Sequence, residues 1–397
     1  MKTAVRKIGK EELNTAEGRQ ILAEAGALLR AGELVAFPTE TVYGLGADAL
    51  QPEAAKKIYA AKGRPSDNPL IVHIADISSL SRIAEEVPEA ARLLADAFWP
   101  GPLTMILKKS AEVPCETTGG LDTVAVRMPE HPAAQALIRA AGGFVAAPSA
   151  NTSGRPSPTR AEHVYEDLNG KIPLILDGGE VGIGLESTIV DLSVETPTIL
   201  RPGYITEGMV REAAGAARTD PGLISENSKE PPKAPGMKYR HYAPKAEMTL
   251  VSGEEEAVVA KIYSLAEESR KQGKRVGILV ESETAGKYRE KLEKLRGGEG
   301  NSPFPSAGPG EVRGAGTGAK ISGRARQPSE ILIRSAGSRQ NDEEIARNLY
   351  ALLREFDALG VDVIFSECFD TPRMGQAIMN RMRKAAGQRI IEAGEGE

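Results

Sequence analysis

Cysteine and histidine are scarce in this chain, and their scarcity excludes several classes of protein. Only two cysteines, Cys115 and Cys368, occur among 397 residues. A disulfide scaffold and a cysteine-rich zinc site are therefore excluded, and a reducing compartment is expected. The four histidines are scattered along the chain and show none of the spacings typical of metal ligands. We therefore expect no metal site built by the protein alone.

The chain also has no net positive charge, few aromatic residues and no long apolar run. The formal net charge is −5 and the sequence pI is about 5.7, whereas a nucleic-acid-binding domain commonly has a pI above about 9. Aromatic residues make up 4% of the chain, too few for an obvious base-stacking pattern. No window approaches ~18 consecutive apolar residues, and the initial MKTAVRKIGKEELN has no apolar signal-peptide core. We expect a cytoplasmic protein that does not enter a membrane.

The distribution of apolar residues predicts two α/β domains joined by a linker. Residues 1–215 contain more strand-like runs than helical segments, which favours a mixed sheet over a regular βαβ repeat. Residues 216–246 contain five prolines together with Lys, Arg, His and Tyr, and loops of this length are often functional. Residues 247–397 alternate strands and helices, as in a smaller Rossmann-like parallel sheet.

Local signals predict where some of these elements begin and end. Asn14, with Glu17 three residues later, has the pattern of a capping box at the start of the first helix. A later helical pattern, at 85–98, is predicted as one helix. The Gly-, Ser- and Pro-rich residues 296–326 are predicted to form a flexible loop within the second domain.

Common catalytic motifs are missing. The sequence has no P-loop, no GxSxG nucleophile elbow and no HExxH zinc motif. GAGTG (314–318) resembles a dinucleotide fingerprint only superficially, because no strand precedes it, and we interpret it as a loop. A site in the first domain must therefore be found from its own polar clusters.

The first cluster, PTETVYGLG (38–46), follows a buried strand-like run. Thr39 and Thr41 provide hydroxyls, and Gly44 and Gly46 allow a ligand to approach the backbone closely. The pattern fits either a polar turn that closes the strand or a ligand-binding loop at its carboxyl end.

The second cluster, KGRPSDNPLIVHI (62–74), places two cations just past a predicted helix end. Lys62 and Arg64 could simply compensate the helix dipole. In a loop stiffened by prolines they could equally form an anion cradle, with Lys as a point charge and Arg as a planar fork. His73, on the following strand, is by itself more typical of a hydrogen-bonded core histidine.

A third cation, Arg127, lies within the strand-like run TVAVRM (123–128). By alternation it shares a face with Thr123 and Ala125. An arginine inside a buried sheet needs an anionic partner. That partner is either a structural carboxylate, such as Asp191, or the carboxylate of a ligand.

Two further clusters are rich in hydroxyls. APSANTSGRPSPT (147–159) is either a plain surface loop or a rigid loop that offers backbone N–H groups and hydroxyls to phosphate oxygens. ESTIVDL (186–192) and ILRPG (199–203) place Ser187 and Arg201 at strand ends. The domain thus has several hydroxyl loops and four candidate cations but no catalytic triad, carboxylate pair or metal cage. This composition fits a site that binds a polyanion and a small zwitterion and works by positioning and charge neutralisation.

These clusters occur in the order found in a known family. PTETVYGLG, KGRPSDNPLIVHI, WPGPLT, VAVRMPEHP, APSANTSGRPSPT, ESTIVDL and ILRPG together resemble the YrdC-like family of threonylcarbamoyl-AMP synthases, over residues ~12–215. Residues 247–397, ending in MGQAIMNRMRKAA, resemble the extra C-terminal Rossmann-like domain of the long form. KYRHYAP (238–244) resembles the linker segment that folds back over the active site.

The resemblance implies a fold and a reaction. The fold is an α/β fold, with a YrdC-like twisted mixed sheet and helices around a concave basic surface. The reaction joins L-threonine, bicarbonate or CO2 and ATP, which carries Mg²⁺, into threonylcarbamoyl-AMP with release of pyrophosphate. The product is expected to pass to a tRNA threonylcarbamoyl transferase complex that modifies adenosine next to the anticodon. Stable direct binding of tRNA is not expected.

The resemblance also implies site residues. Lys62 and Arg64 are expected to neutralise charge during catalysis, and Arg64 or Arg127 to hold the threonine carboxylate. The expected threonine-binding residues are Thr39, Arg64, His73, Arg127, Ser149 and Ser187. The expected ATP-binding residues are Lys62, Ser66, Thr123, Asn151, Thr159, Arg201, His241 and Tyr242.

Two rival interpretations remain open at this point. One is an RNA-binding module that uses its basic concavity, against which the acidic pI and the few aromatic residues count. The other is a different carbamoyl transfer, in which a second catalytic domain supplies metal-ligand histidines. Residues 247–397 contain no histidine, which counts against that interpretation. For the C-terminal domain we expect a role in supporting or regulating the first domain through the linker.

Overall fold

The computed structural model describes residues 2–223, 241–296 and 330–394. In these ranges the chain forms an eleven-stranded sheet and a separate five-stranded sheet. The predicted fold class, a mixed α/β sheet followed by a smaller Rossmann-like α/β unit, is confirmed. GAGTG and all but the first residue of the predicted loop 296–326 lie outside the described residues. Within them, no helix is both long and apolar enough to cross a bilayer.

The larger sheet contains strands from Ala4 to Thr219. Its strands are β1 (Ala4–Lys7), β2 (Val35–Phe37), β3 (Gly44–Asp48), β4 (Ile71–His73), β5 (Leu103–Lys108), β6 (Thr123–Arg127), β7 (Val145–Ala147), β8 (Leu174–Asp177), β9 (Thr188–Asp191), β10 (Thr198–Arg201) and β11 (Arg218–Thr219). The helices of this part are α1 (Ala16–Arg30), α2 (Pro52–Lys62), α3 (Leu80–Ile83), α4 (Glu89–Phe98), α5 (Cys115–Thr118), α6 (Pro132–Ala140), α7 (Ala161–Leu168) and α8 (Glu207–Ala214).

The strand order mixes parallel and antiparallel neighbours. It runs β1-β8-β2-β3-β7-β4-β6-β5-β9-β10-β11. In the middle of the sheet, β4 and β6 are parallel and pair His73 with Arg127, and the antiparallel β5 pairs Thr104 with Arg127. This register brings side chains that are far apart in sequence to one level of the sheet.

The smaller sheet is parallel throughout and has the order β14-β13-β15-β12-β16. Its strands are β12 (Glu247–Ser252), β13 (Val276–Val280), β14 (Ile331–Ser335), β15 (Val363–Glu367) and β16 (Ile390–Glu392). Its helices are α9 (Glu255–Lys271), α10 (Ser282–Arg296), α11 (Asp342–Ala358) and α12 (Gly375–Ala385). The two sheets are separate, but buried Val42 and Leu185 of the first part pack in one apolar cluster with residues of α11 and α12.

The structure corrects three details of the sequence interpretation. Helix α1 is capped by Thr15, whose Oγ1 accepts a hydrogen bond from the Gly18 amide at 2.9 Å, and not by Asn14. The helix predicted at 85–98 begins at Glu89, because Pro88 before it is extended (φ −64°, ψ 159°). The end of PTETVYGLG is not loop: Gly44–Asp48 forms β3, because it pairs with β2 on one side and β7 on the other.

A glycine sets the close packing of α1 on α6. A Cβ at Gly26 would lie 2.6 Å from the Ala140 carbonyl oxygen, whereas at Gly208, in α8, the nearest atom would be 3.8 Å away. We expect Gly26→Ala to lower the free energy of unfolding by about 1–3 kcal/mol through overpacking. The control Gly208→Ala should leave it unchanged or slightly raised. Urea denaturation followed by circular dichroism measures both, and equal midpoints for the two variants would contradict the packing argument.

Candidate active site

One cavity brings together most of the residues predicted to bind substrate. Its walls come from the segment between β2 and β3, the turn after α2, strands β4, β6 and β10, the segments after β7 and before β9, and the residues that precede β12. The predicted site residues that line it are Thr39, Arg64, His73, Arg127, Ser149, Ser187, Arg201, His241 and Tyr242. Apolar contacts at the same cavity come from Val42, Ile71 and Ala147.

The turn after β2 is held by its own hydroxyls. Thr39 Oγ1 donates to the Val42 carbonyl at 2.6 Å and accepts from the Thr41 amide at 3.1 Å. The Oγ1 atoms of Thr39 and Thr41 are 2.9 Å apart. Both side chains are buried. The alternating threonines of this motif therefore fix the backbone at the cavity wall.

Arg64 is a buried cation held by neutral groups. Its Nη2 donates to Asn68 Oδ1 at 2.6 Å and to the Pro69 carbonyl at 3.1 Å, and its Nε donates to the Asn68 carbonyl at 3.3 Å. Burial lowers the pKa of Arg64 to about 10. No described residue accepts a hydrogen bond from Nη1. Among the described residues no carboxylate is hydrogen-bonded to this guanidinium, so its positive charge at the cavity is not offset by such a contact.

Arg127 has a protein carboxylate as its partner. Its Nη2 is 2.6 Å from Glu40 Oε1, its Nη1 donates to Thr41 Oγ1 at 2.8 Å, and its Nε donates to the Gly101 carbonyl at 3.2 Å. Asp191, the structural partner considered from sequence, instead accepts hydrogen bonds from Ser193, so that alternative is wrong. Glu40 lies inside the motif PTET, and this position is the one feature of the sequence that could have indicated its role.

Ser187 and Arg201 form a second polar group at the cavity. Arg201 Nε donates to the Ser187 carbonyl at 3.0 Å, and its Nη2 donates to Ser187 Oγ at 3.1 Å. Ser187 Oγ is also 2.8 Å from Thr104 Oγ1. The loop before β9 and the end of β10 are therefore tied to each other and to β5.

The surroundings of the two histidines at the cavity favour the neutral imidazole. His73 Nδ1 lies 3.0 Å from the Ile71 carbonyl. A carbonyl can only accept, so this nitrogen carries the proton and Nε2 is an acceptor. Burial, then the charge of Arg127, lowers the pKa of His73 to about 3. Burial and the nearby cations Arg64 and Lys384 hold the pKa of His241 well below its usual value.

Lys62 supports the wall and does not line the cavity. Its Nζ donates to the carbonyls of Ser149 and Asn151. Burial, then the charge of Arg64, holds the pKa of Lys62 well below its usual value. Asn151 in turn accepts from Ser149 Oγ at 2.5 Å and donates to the Arg155 carbonyl at 3.0 Å. Lys62 thereby shapes the segment that presents Ser149.

The other predicted ATP residues do not line the cavity. Ser66 is exposed just after Arg64, and Thr123 begins β6 four residues before Arg127. Thr159 is buried, and its amide donates to His163 Nδ1 at 3.3 Å. The assignment of these residues, and of Asn151, to ATP stays a prediction.

Sequence reasoning missed Glu186, the first residue of ESTIVDL. Its carboxylate lies at the cavity wall and accepts from Ser157 Oγ, from Tyr350 at 3.0 Å and from Arg381 Nε at 3.0 Å. The last two donors belong to α11 and α12. No local signal could have revealed them, because they are more than 160 residues away in the sequence.

Comparison with known proteins finds relatives that match nearly the full length of this chain. Residues 27–203 match the family profile described as "Telomere recombination", and residues 205–387 match "Threonylcarbamoyl-AMP synthase, C-terminal domain". The chain is 46% identical to the threonylcarbamoyl-AMP synthase of Bacillus subtilis over 96% of both chains. It is also 46% identical to the enzyme of that name from Pyrococcus abyssi, over 93% of this chain and 94% of the relative.

The chain belongs to the threonylcarbamoyl-AMP synthase family. The predicted membership, in the long form with the additional C-terminal domain, is confirmed, and with it the prediction of an enzyme of this family. Among solved structures, Sua5 of P. abyssi complexed with L-threonine matches with a TM-score of 0.81 and 43% identity. The match covers 98% of this chain and 99% of that one.

Burial of the histidines predicts a pH-dependent stability. The pKa of His163 is lowered to about 3, chiefly by burial and then by Arg354, while in the unfolded chain it titrates near 6.5. The unfolded state therefore binds more protons between these values, and the free energy of unfolding falls as the pH drops below about 6.5. His73, His131 and His241 act in the same direction.

The histidine contribution can be separated by substitution. His163→Gln should reduce the slope of unfolding free energy against pH by up to about 1.4 kcal/mol per unit between pH 5 and 6. Urea titrations at several pH values measure this slope. An unchanged slope in a folded variant would show that His163 does not titrate differently in the two states.

Proposed function

We propose that the chain synthesises L-threonylcarbamoyladenylate from L-threonine, bicarbonate or CO2, and ATP, with release of pyrophosphate. The observation that carries this proposal is the convergence of nine family-pattern residues on one cavity that contains Arg64, Arg127 and Arg201. The threonine complex of the P. abyssi relative supports an amino-acid site in this fold. The product would serve tRNA threonylcarbamoyladenosine formation next to the anticodon, by transfer through a tRNA threonylcarbamoyl transferase complex.

In this proposal Arg64 receives the threonine carboxylate. Arg127 is already paired with Glu40, whereas the partners of Arg64 among the described residues are amide oxygens. The guanidinium of Arg64 is therefore the stronger attraction for a small anion entering the cavity. Neutral His73 Nε2 and the hydroxyl of Ser149 are suited to polar groups of the amino acid, while Ile71 provides an apolar contact for a methyl group.

In this proposal ATP binds at the positively charged side of the cavity. Arg201 lines the cavity, and Lys62 lies just behind the Ser149–Asn151 segment. No group of three or more His, Cys, Asp or Glu side chains within residues 2–223, 241–296 and 330–394 is placed to hold a metal ion. We therefore treat Mg²⁺ as part of the ATP substrate, held chiefly by phosphate oxygens.

The proposed reaction requires that the substrates be oriented and that the developing negative charge be stabilised. The threonine amine adds to CO2 and loses a proton, which gives a carbamate. A carbamate oxygen then attacks the α-phosphorus as the bond to the β-phosphate oxygen breaks, so that pyrophosphate leaves with the electron pair. Preorganised cations stabilise the developing charge. His241 and Tyr242 at the cavity limit access of water to the labile mixed anhydride.

Omission of substrates tests the reaction. Pyrophosphate release from ATP and Mg²⁺ should require both threonine and bicarbonate, and serine should replace threonine poorly because it lacks the methyl group. Release that ignores threonine would point to a different carbamoyl acceptor. No release, combined with salt-sensitive binding of RNA, would favour the RNA-binding alternative.

Substitution of the two cations tests the charge argument. Arg64→Ala should lower kcat/KM for pyrophosphate release by about 10²–10³-fold, because a buried charge-assisted contact is lost. Lys62→Ala should reduce turnover to a similar extent. Arg92→Ala, at an exposed position of α4, is the matched control and should retain wild-type rates. Near-normal turnover in folded Arg64→Ala or Lys62→Ala would refute charge neutralisation by the residue that was replaced.

A further inference from the structure

Two side chains of the C-terminal domain reach residues that form the cavity wall. Arg381 of α12 and Tyr350 of α11 are fully buried. Arg381 Nε and the Tyr350 hydroxyl each donate to Glu186 Oε2 at 3.0 Å. From the first domain, the side chain of Ser157 also donates to this carboxylate. The ion pair and two hydrogen bonds stabilise a buried charge that would be costly without them.

Arg381 also ties together the two segments that present Ser187 and Arg201. Its Nη1 donates to the Pro202 carbonyl at 2.6 Å, and its Nη2 donates to the Glu186 carbonyl at 3.3 Å. These carbonyls belong to the residues next to Arg201 and Ser187 in the chain. A planar guanidinium with several directed donors can fix two backbone segments at once, which an ammonium group cannot do.

The same pair of side chains fixes Tyr242 at the cavity. The ring of Tyr350 stacks on that of Tyr242, with centroids 5.4 Å apart and an angle of 28°. The Arg381 guanidinium carbon lies 5.8 Å from the Tyr242 ring centroid. Tyr242 has a left-handed backbone (φ 63°), which a bulky residue adopts only where its surroundings hold it. Tyr350 and Arg381 supply such surroundings.

We propose that Tyr350 and Arg381 are positioning residues of the active site. They set the places of Ser187, Arg201 and Tyr242 without lining the cavity themselves. The C-terminal domain therefore completes the geometry of the catalytic cavity from outside. This inference rests on the proposed function, because its first readout is threonine-dependent release of pyrophosphate.

Conservative substitutions test the inference. Arg381→Lys keeps the positive charge but removes the planar guanidinium with its directed donors. Tyr350→Phe keeps the aromatic ring but removes the hydroxyl that donates to Glu186. We expect KM for threonine to rise at least about 10-fold in Arg381→Lys and about 3–10-fold in Tyr350→Phe, with circular dichroism unchanged. A role in stability alone would leave KM unchanged at temperatures where the variants are folded.

The matched control is Arg373→Lys. Arg373 also belongs to the C-terminal domain and contacts the first domain, with its guanidinium carbon 4.5 Å from the ring centroid of Tyr204, but it does not touch the cavity wall. Its KM and kcat should stay within twofold of wild type. Wild-type KM and kcat in Arg381→Lys and Tyr350→Phe would overturn the inference, and if Arg381→Lys fails to fold, Tyr350→Phe decides alone.

A readout independent of turnover separates this inference from the proposed function. Hydrogen exchange of the amides in residues 184–189 and 241–246 should be faster in Arg381→Lys and Tyr350→Phe and unchanged in Arg373→Lys. If the wild type releases no pyrophosphate, the proposed reaction fails while exchange still measures positioning. If the wild type is active and both hydrogen exchange and KM are unaltered in the variants, the inference that Tyr350 and Arg381 are positioning residues is refuted, while the proposed reaction is supported.

Discussion

Burial of three arginines at one cavity is the constraint around which the first domain is built. Arg64, Arg127 and Arg201 are all at most 9% exposed, and a buried charge needs directed partners. All three donate to backbone carbonyls; among the described residues Arg64 also donates to the Asn68 side-chain amide, Arg127 pairs with Glu40, and Arg201 donates to the Ser187 hydroxyl. In the proposed function, the pairing of Arg127 with Glu40 is what leaves Arg64 as the stronger attraction for a carboxylate.

The contact between the domains extends this polar network and is not purely apolar. Arg354 of α11, one turn after Tyr350, donates to the Pro156 carbonyl at 2.6 Å and to Asp167 at 3.0 Å. The hydroxyl-rich loop and the carboxylate Glu186 are thus held by one helix. Close approach of the backbones makes this possible, since a Cβ at Gly184 would lie 2.4 Å from the Arg347 Cα. Directional contacts of this kind define one relative position of the domains more sharply than apolar area alone.

The sequence predicted the types of residue at the cavity better than their partners. Motif order identified Thr39, Arg64, Ser187 and Arg201, because each belongs to a local pattern at a strand or helix end. The pairing of Arg127 with Glu40 depends on the strand order that brings the segment after β2 close to β6, which local periodicity does not define. The role of Lys62 toward Ser149 depends on a contact 87 residues away. The donors from α11 and α12 depend on the packing of two domains, for which no short motif exists.

The net charge of the chain and the local charge at the cavity describe different properties of this molecule. A net charge of −5 describes the average surface, where interactions are screened within about 8–10 Å at moderate ionic strength. The buried arginines lie in surroundings of lower polarity, where a charge acts more strongly over the same distance. Their cost is met by fixed dipoles and by Glu40 and Glu186, so little reorganisation is needed when an anion enters. An acidic chain can therefore maintain a cavity lined by arginines, and the acidic pI that counts against bulk phosphate binding does not count against the proposed function of this site.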